Sequence, residues 1–429
     1  MLQTIKNGWK IPELRKKILF TLLIVVLYRV GASIPVPYVN ATRMGDIINS
    51  TGSFFQYVNL LSGDAFSQAT LFALSVSPYI TAQIVMQLLS IAIPALERLS
   101  KDGEEGKKKI NQISRYVTIG IALVTAYGYY MFMKVNNMIV PGAGVFGAFV
   151  ILACYVAGSA LIMWLAEQVN DFGIGNGVSI ILFANILAGL PAFLVELFTK
   201  MFTGGWQGLV YALVVIVIGL GMLAFIVFMS ESERRLPVQY AKKVVGRKMY
   251  GGQSTNLPIK VNMSGVMPII FANSILGLPT TIAALLSNPK EGTFWHSFLK
   301  FFSPGSGFYE ILFVILIIAF AYFYIAISFN PVEVSNNLKK NGGFIPGIRP
   351  GKPTSDYITK VLNKIILIGA IMLSVVAVLP LVINIAVPSG IGQLAFGGSS
   401  VIIVVGVVIE LVRAIEAEMT MRHYKGFLD

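Results

Sequence analysis

Ten long apolar stretches dominate this sequence of 429 residues, of which only 12% are charged. Soluble domains carry about a quarter of charged residues. A helix crosses a bilayer with about 20 mostly apolar residues, because it satisfies every backbone N–H and C=O within one segment. The sequence therefore predicts an all-α, polytopic membrane protein. The ten predicted spans lie at about 18–34, 70–93, 116–133, 145–166, 177–196, 208–229, 264–286, 308–328, 363–386 and 399–416.

The distribution of basic residues predicts the orientation of these spans, because lysine and arginine prefer cytoplasmic loops. Of the 33 lysines and arginines, 27 lie at the two termini, in the even-numbered loops or at the span ends beside them. The loop between spans 4 and 5 contains no lysine or arginine, so the neighbouring loops determine the side predicted for it. Both termini are thus predicted to be cytoplasmic. Five spans precede about residue 205 and five follow it, which predicts an inverted repeat of residues 1–204 and 205–429.

Two cytoplasmic loops, at about 230–263 and 329–362, are longer than a compact membrane protein needs for a simple connection. The net charge of +13 is concentrated on their side of the membrane. Such a surface attracts anionic lipid headgroups, ribosomal RNA or an acidic partner protein. For most of these lysines, an ordinary positive-inside bias without any partner remains the alternative.

The stretch "GGFIPGIRPGKP" at 342–353 is the most distinctive part of the second loop. Proline at the first corner and glycine at the second corner are typical of a type II turn. Pro346-Gly347 and Pro350-Gly351 therefore predict two turns. Arg349 precedes the second proline, which favours an extended backbone and an outward side chain. A stiff loop that presents a cation loses little entropy when a partner binds, although a simple return of the chain to the bilayer is the alternative.

Two other classes of membrane protein compete at this point. An ion-coupled secondary transporter could also have ten spans, but it usually needs ionisable residues at mid-depth. Here Arg29, Glu310 and Glu410 lie near span ends. An intramembrane protease would need histidine ligands or a nucleophile beside a base, and the spans contain no histidine. Cys154 is the single cysteine. No catalytic residue, metal or cofactor is predicted, and no Walker A loop is present.

Several longer motifs resemble one family in the same order along the chain. They include "NLLSGDAFSQATLFALSVSPYITAQIVMQLL" at 59–89, "EGKKKINQISRY" at 105–116, "EQVNDFGIGNGVSIILFANILAGLP" at 167–191, "YAKKVVGRKMYGGQSTNLPIKVNMSGVMPIIFANSI" at 240–275, "NNLKKNGGFIPGIRPGKPTSDYI" at 336–358 and "FGGSSVIIVVGVVIE" at 396–410. The chain is similar to the SecY family, which forms the central subunit of the bacterial protein-conducting channel.

The resemblance implies two pseudo-symmetric inverted halves around a central pore in the bacterial cytoplasmic membrane. It also implies passage of unfolded secretory polypeptides and lateral release of transmembrane segments into lipid. SecA or the ribosome would drive the process, since the chain has no nucleotide motif of its own. The implied partners are SecE and SecG, SecA, the ribosome, signal sequences and nascent chains, and anionic lipids.

The resemblance also implies roles for individual residues. An apolar ring would close the pore without gripping a passing chain. Its members would be Val76, Ile80, Val178, Leu182, Ile270 and Ile403. Within the first two pairs the residues are four apart and share one helix face, although the sequence alone favours ordinary helix packing for each residue. A plug at about 58–68 would be a short helix that blocks the channel from outside, with Leu60, Leu61, Ser62, Gly63, Asp64, Ala65 and Phe66. The family usually has glycine where this chain has Asp64.

Two further groups of polar residues follow from the same resemblance. Spans 2 and 7 would form a lateral gate, in which hydrogen bonds across the seam close it reversibly. The gate candidates are Thr81, Gln83, Gln87, Asn273 and Ser274, although stabilisation of the helix packing explains each of them equally well. Basic residues of the two long loops would dock SecA or the ribosome, because arginine matches phosphate and carboxylate with a planar fork. The docking candidates are Arg247, Lys248, Lys339, Lys340 and Arg349.

Overall fold

The structure is a computed structural model of the chain. It describes residues 8–40, 44, 59, 62–203, 205–240, 243–245, 248–250, 254–285, 301, 306–386 and 398–425. Among the predicted site residues, Leu60, Leu61 and Arg247 lie outside these ranges.

Helices make up most of the described chain. They are α1 Pro12–Gly31, α2 Ser77–Ala92, α3 Pro94–Lys101, α4 Gly103–Val135, α5 Gly144–Phe172, α6 Gly177–Thr203, α7 Gly205–Glu231, α8 Met267–Leu285, α9 Gly307–Ser328, α10 Pro331–Lys340, α11 Lys352–Ala386 and α12 Gly398–Lys425. Each of the ten predicted spans coincides with one of them. Within the described residues, six helices are long and apolar enough to cross a membrane, or seven if α2 and α3 form one bent span.

The second span begins later than its apolarity predicts. The predicted span starts at 70, but residues 63–69 and 71–76 form turns and α2 begins only at Ser77. Pro78 lies in the first turn of α2. Backbone N–H groups there have no partner within the helix, so the N–H that proline lacks costs no hydrogen bond. At its other end α2 meets α3 at an angle of 106°. Pro94 follows this bend, and proline disfavours helical backbone at the residue before it.

The two long loops contain five short strands. They are β1 Glu233–Tyr240, β2 Lys243–Val245, β3 Lys248–Tyr250, β4 Ser254–Lys260 and β5 Gly343–Phe344. The first, fourth and fifth strands form an antiparallel sheet in the order β4-β1-β5, with Leu236 opposite Leu257 and Gln239 opposite Phe344. β2 and β3 form a separate hairpin. The sheet joins the two long loops, which the sequence places about 100 residues apart.

The chain folds into two compact units, and each combines separate segments. The first unit contains Met1–Ala212, Ser274–Glu310 and Val407–Asp429. The second unit contains Leu213–Asn273 and Ile311–Gly406.

Each unit has an apolar core of its own. In the first unit, a buried cluster contains Phe66, Tyr129, Phe132 and Tyr155. In the second unit, the inward side chains of β1 pack against the loop after β5 and against α11. The buried residues of that cluster include Leu236, Val238, Ile345, Ile358 and Leu362.

Candidate functional site

Residues 62–76, here called the turn segment, are an irregular stretch of backbone packed among the helices of the first unit. Most of its side chains are buried, including those of Ser62, Ala65 and Phe66. Three of its non-glycine residues have positive φ, namely Asp64 at 68°, Ala69 at 46° and Ser75 at 53°. Such backbone is unfavourable for most residues and persists only where surrounding contacts enforce it.

Local hydrogen bonds stabilise the start of the turn segment. The backbone N–H of Asp64 donates to the Asn59 carbonyl at 3.1 Å, and Asn59 Nδ2 donates to Asp64 Oδ1 at 2.9 Å. The Ser62 hydroxyl donates to the same Asn59 carbonyl at 2.8 Å and accepts from the Phe66 N–H at 3.0 Å. Short polar side chains of this kind replace the regular backbone bonds of a helix. Where it is described, the predicted plug is helical at residues 59 and 62 and forms turns at 63–68, and its role as a plug stays a prediction.

Two buried tyrosines bond to the middle of the turn segment. The Tyr129 hydroxyl on α4 donates to the Phe66 carbonyl at 2.6 Å, and the Tyr155 hydroxyl on α5 donates to the Ala69 carbonyl at 3.4 Å. The rings of Phe66 and Tyr129 also pack with their centroids 4.5 Å apart. Tyr155 lies well inside a predicted span, so the carbonyl that it binds lies within the membrane region. Irregular backbone at that depth is tolerated only inside protein or beside a water-filled cavity.

The chain just after α1 fixes the next part of the turn segment. The Val36 N–H donates to the Ala69 carbonyl at 3.2 Å, and the Leu71 N–H donates to the Ile34 carbonyl at 2.9 Å. The Phe72 ring stacks on Tyr28 of α1 with a centroid distance of 5.3 Å. These contacts hold residues 69–72 against the end of the first span.

A polar group near the end of α1 contacts the turn segment at Gly63. Arg29 Nη1 donates to the Gly63 carbonyl at 3.3 Å. A methyl group built on Gly63 would lie 2.7 Å from that nitrogen and 3.1 Å from Asn185 Cα. Asn185 on α6 is buried, and its Nδ2 donates to the Tyr28 hydroxyl at 2.8 Å and to the Ser75 hydroxyl at 3.4 Å. Only glycine fits at position 63, whose φ is also positive at 62°.

The "GIGNG" motif sets the position of α6. Asn176 Oδ1 accepts from the N–H groups of Val178 at 3.0 Å and Ser179 at 3.3 Å, as an N-cap residue does. Gly177 allows close packing, because a methyl group there would lie 2.0 Å from the Ala166 carbonyl oxygen on α5. The predicted ring residues Val178 and Leu182 occupy the first turns of the helix that begins at this cap.

The six predicted ring residues divide between the two units. Val76 and Ile80 at the start of α2, and Val178 and Leu182 on α6, are buried and belong to the first unit. Ile270 on α8 is partly buried and Ile403 on α12 is buried, and both belong to the second unit. The ring as a whole stays a prediction.

The predicted gate residues occupy α2 and α8. The Thr81 hydroxyl donates to the Ser77 carbonyl of its own helix at 3.0 Å. Gln83 is exposed and Gln87 is partly exposed, so both amides can reach a neighbouring group. Asn273 and Ser274 are partly exposed on α8. Their part in a gate stays a prediction.

The loop at 342–353 has the two turns predicted from its prolines and glycines. Gly347 and Gly351 have positive φ of 81° and 103°, and the Ile348 N–H donates to the Ile345 carbonyl at 3.0 Å, as a turn about Pro346-Gly347 requires. The buried Ser335 of α10 donates to the Gly351 carbonyl at 2.7 Å. The loop is therefore held at both turns.

Three of the docking candidates lie on the surface of the second unit. Arg349 is exposed, while its carbonyl accepts a hydrogen bond from the Thr354 hydroxyl at 2.8 Å. Lys339 and Lys340 are exposed at the end of α10. A fourth candidate, Lys248, is the first residue of β3. The loop at 342–353 thus presents a cation from a fixed backbone.

Comparison with known proteins agrees with this architecture. The fold is that of the protein-conducting channels: a solved structure described as "The structure of a protein conducting channel" matches with a TM-score of 0.70 at 17% identity, over 97% of each chain. Sec61 in the canine ribosome-channel complex from the endoplasmic reticulum matches with a TM-score of 0.65 at 16% identity, over 97% of each chain.

Sequence relatives then give the family. The SecY family model matches residues 70–412. The protein translocase subunits SecY of Streptomyces galbus and of Mycobacterium tuberculosis are 41% and 40% identical, over 100% of both chains in each comparison. The chain belongs to the SecY family and is a multi-pass membrane protein.

Four residues of the site were not predicted from the sequence. Arg29 had a visible signal, because a cation inside an apolar stretch needs a partner. Asn185 had a weaker one, as an amide within "ILFANILAG". Tyr129 and Tyr155 had none, because tyrosine is common in membrane helices and its partner carbonyls are far away in sequence.

Proposed function

We propose that this protein is the central subunit of a protein-conducting channel in the bacterial cytoplasmic membrane. It passes unfolded secretory polypeptides across the membrane and releases transmembrane segments into lipid, with both of its own termini in the cytoplasm. The names of its relatives, protein translocase subunits, support this function over that of an ion-coupled transporter.

The turn segment is the observation that carries this proposal. Its backbone is irregular, strained and buried among membrane helices, and Gly63 lies beside Asn185, three residues after Leu182 on α6. Three residues are nearly one helical turn, so the segment lies close to the proposed ring residue Leu182. A plug needs this position, because it must occupy the pore without being part of the ring.

The proposed ring residues suit a seal for a polypeptide channel. Aliphatic side chains exclude water from a narrow constriction and offer no hydrogen bonds that would retain a passing chain. The ring would consist of Val76, Ile80, Val178, Leu182, Ile270 and Ile403. The gate would use Thr81, Gln83, Gln87, Asn273 and Ser274.

The energy source and the docking partners belong to the proposal as well. SecA or the ribosome would bind the basic loops, at Arg349, Lys339 and Lys340 together with Arg247 and Lys248. Fixed cations are suited to phosphate and carboxylate groups. SecE and SecG would complete the complex, and anionic lipids would contact the remaining basic residues.

Ion conductance of reconstituted membranes tests the proposal. Deleting residues 58–68 should make bilayers that contain the idle protein leak small ions, because the pore loses its plug. A carrier lacking this segment would lose transport without becoming a pore. A deletion variant that is inserted in normal amount and remains as tight as the parent protein would contradict the plugged channel.

A further inference from the structure

We propose that Arg29 and Asn185 are positioning residues that hold the turn segment in its sealing place. Together with Tyr28, Ser75 and Gly63 they form what is called here the polar latch. The inference rests on the proposed function, because it assigns the residues that keep the proposed plug closed.

The two ends of the turn segment are held in different ways. Residues 66–72 are held by Tyr129, Tyr155, the backbone bonds to residues 34–36 and the stacked Phe72 ring. The described contacts of Gly63 with other helices are the hydrogen bond from Arg29 and the close approach of Asn185. The second set is smaller and polar, so it is the set that a few competing hydrogen bonds can release.

Arg29 lies near the end of its span, but its guanidinium is directed to the turn segment, and this indicates a role. It follows an apolar run in α1, where a cation is retained mainly when it has a specific partner. Within the part of the chain that the structure describes, its guanidinium donates to a backbone carbonyl rather than to a carboxylate. Such a bond holds the segment by its main chain without binding it as tightly as an ion pair would.

Asn185 couples the same place to the start of α2. Its amide bonds to Ser75, which is strained at φ 53° and immediately precedes the proposed ring residue Val76. It also bonds to Tyr28, the neighbour of Arg29. One buried side chain thus connects α1, α6 and the residue before Val76, so movement of Gly63 and of the ring would be linked.

The leak of small ions through the idle channel tests the latch. Arg29→Met keeps the length of the side chain but removes the donor, and Asn185→Leu keeps the volume but removes the amide. Each should raise the leak rate about tenfold, the shift in an equilibrium that loss of a buried or charged hydrogen-bond partner typically causes. Lys134→Met is the matched control, because it removes an exposed cation that the structure places at the end of α4.

Different outcomes distinguish failure of the latch from failure of the channel. If the variant that lacks residues 58–68 leaks ions but both latch variants stay tight, the proposed latch is wrong and the proposed channel function is still supported. If Lys134→Met leaks equally, charge and not position matters, and the latch is also wrong. If the deletion variant itself is tight, the proposed function fails.

Gly63→Ala replaces Arg29→Met if that variant does not fold. The added methyl group would displace the turn segment while the Arg29 and Asn185 side chains remain. A Gly63→Ala channel that stays tight to small ions would overturn the latch.

Discussion

The Tyr129 hydroxyl donates a hydrogen bond of 2.6 Å to the main-chain carbonyl of Phe66, 63 residues earlier in the chain. The bond joins the turn segment to a helix that crosses the membrane. It also satisfies a carbonyl that has no place in a regular helix or sheet. The same carbonyl also accepts from the Ala69 N–H at 3.2 Å, so the tyrosine supplies its second hydrogen bond.

Tyr129→Phe should therefore destabilise the protein while its ring packing is retained. Loss of this hydrogen bond costs about 0.5–1.5 kcal/mol, since the Phe66 carbonyl keeps the Ala69 N–H as a donor at 3.2 Å. Thermal unfolding in detergent should show a lower Tm than for the parent protein. Tyr127→Phe is the control on the same helix, since Tyr127 is exposed. Equal Tm values for both variants would show that the hydroxyl contributes nothing.

Asp64 lies where the resemblance to the SecY family implies glycine, and its conformation explains how it is accommodated. Its φ of 68° lies in the left-handed region, which aspartate tolerates better than most residues. Its carboxylate also accepts from Asn59 Nδ2 at 2.9 Å. Asp64→Ala loses both advantages and should cost about 1–2 kcal/mol, which a lower Tm would report.

Asp64→Gly separates the two contributions, because glycine relieves the backbone while losing the Asn59 contact. Its Tm should lie between those of the alanine variant and the parent. A glycine variant less stable than the alanine variant would mean that backbone strain at this position is unimportant.

Asn176 caps the helix that carries Val178 and Leu182. Asn176→Ala should cost about 1 kcal/mol, because two backbone N–H groups lose their acceptor. The Tm should fall, and the idle channel should leak more, since the first turn of α6 is no longer fixed. Thr199→Ala near the other end of α6 removes an exposed hydroxyl and should change neither quantity. If Asn176→Ala does not change the ion leak, the helix cap does not contribute to the seal of the channel.

The sequence predicted the spans well because their signal is local. Length and apolarity identify a helix that crosses a bilayer, and each of the ten predicted stretches coincides with a helix. The predicted start of the second span, at residue 70, was wrong because the prediction uses only this local signal. Residues 70–76 are apolar enough for lipid, but they are buried in protein as turns, and apolarity cannot distinguish these two surroundings.

The polar contacts of the site could not be predicted because they are distant in sequence. Asn185 bonds to Tyr28 across 157 residues, and Tyr155 bonds to Ala69 across 86. No spacing rule links such pairs. The turns about Gly347 and Gly351 were predictable, in contrast, because proline and glycine determine the backbone of their own neighbourhood.

Arg349→Glu tests the docking loop without disturbing its backbone. The loop is held by Ser335 and Thr354, and the Arg349 side chain is exposed, so the variant should fold and insert normally. SecA-driven translocation of a secretory precursor into vesicles should be abolished, and SecA binding should weaken at least about tenfold, as expected for a reversed charge at an interface.

Lys360→Glu provides the same change of charge at an exposed position of α11 outside the loop. It should leave translocation nearly unchanged, because long-range attraction alone is screened over about 8 Å at physiological salt. Similar defects in both variants would indicate a general effect of net charge. Normal translocation with Arg349→Glu would remove Arg349 from the docking surface, since a fixed cation that a partner uses cannot be reversed without loss.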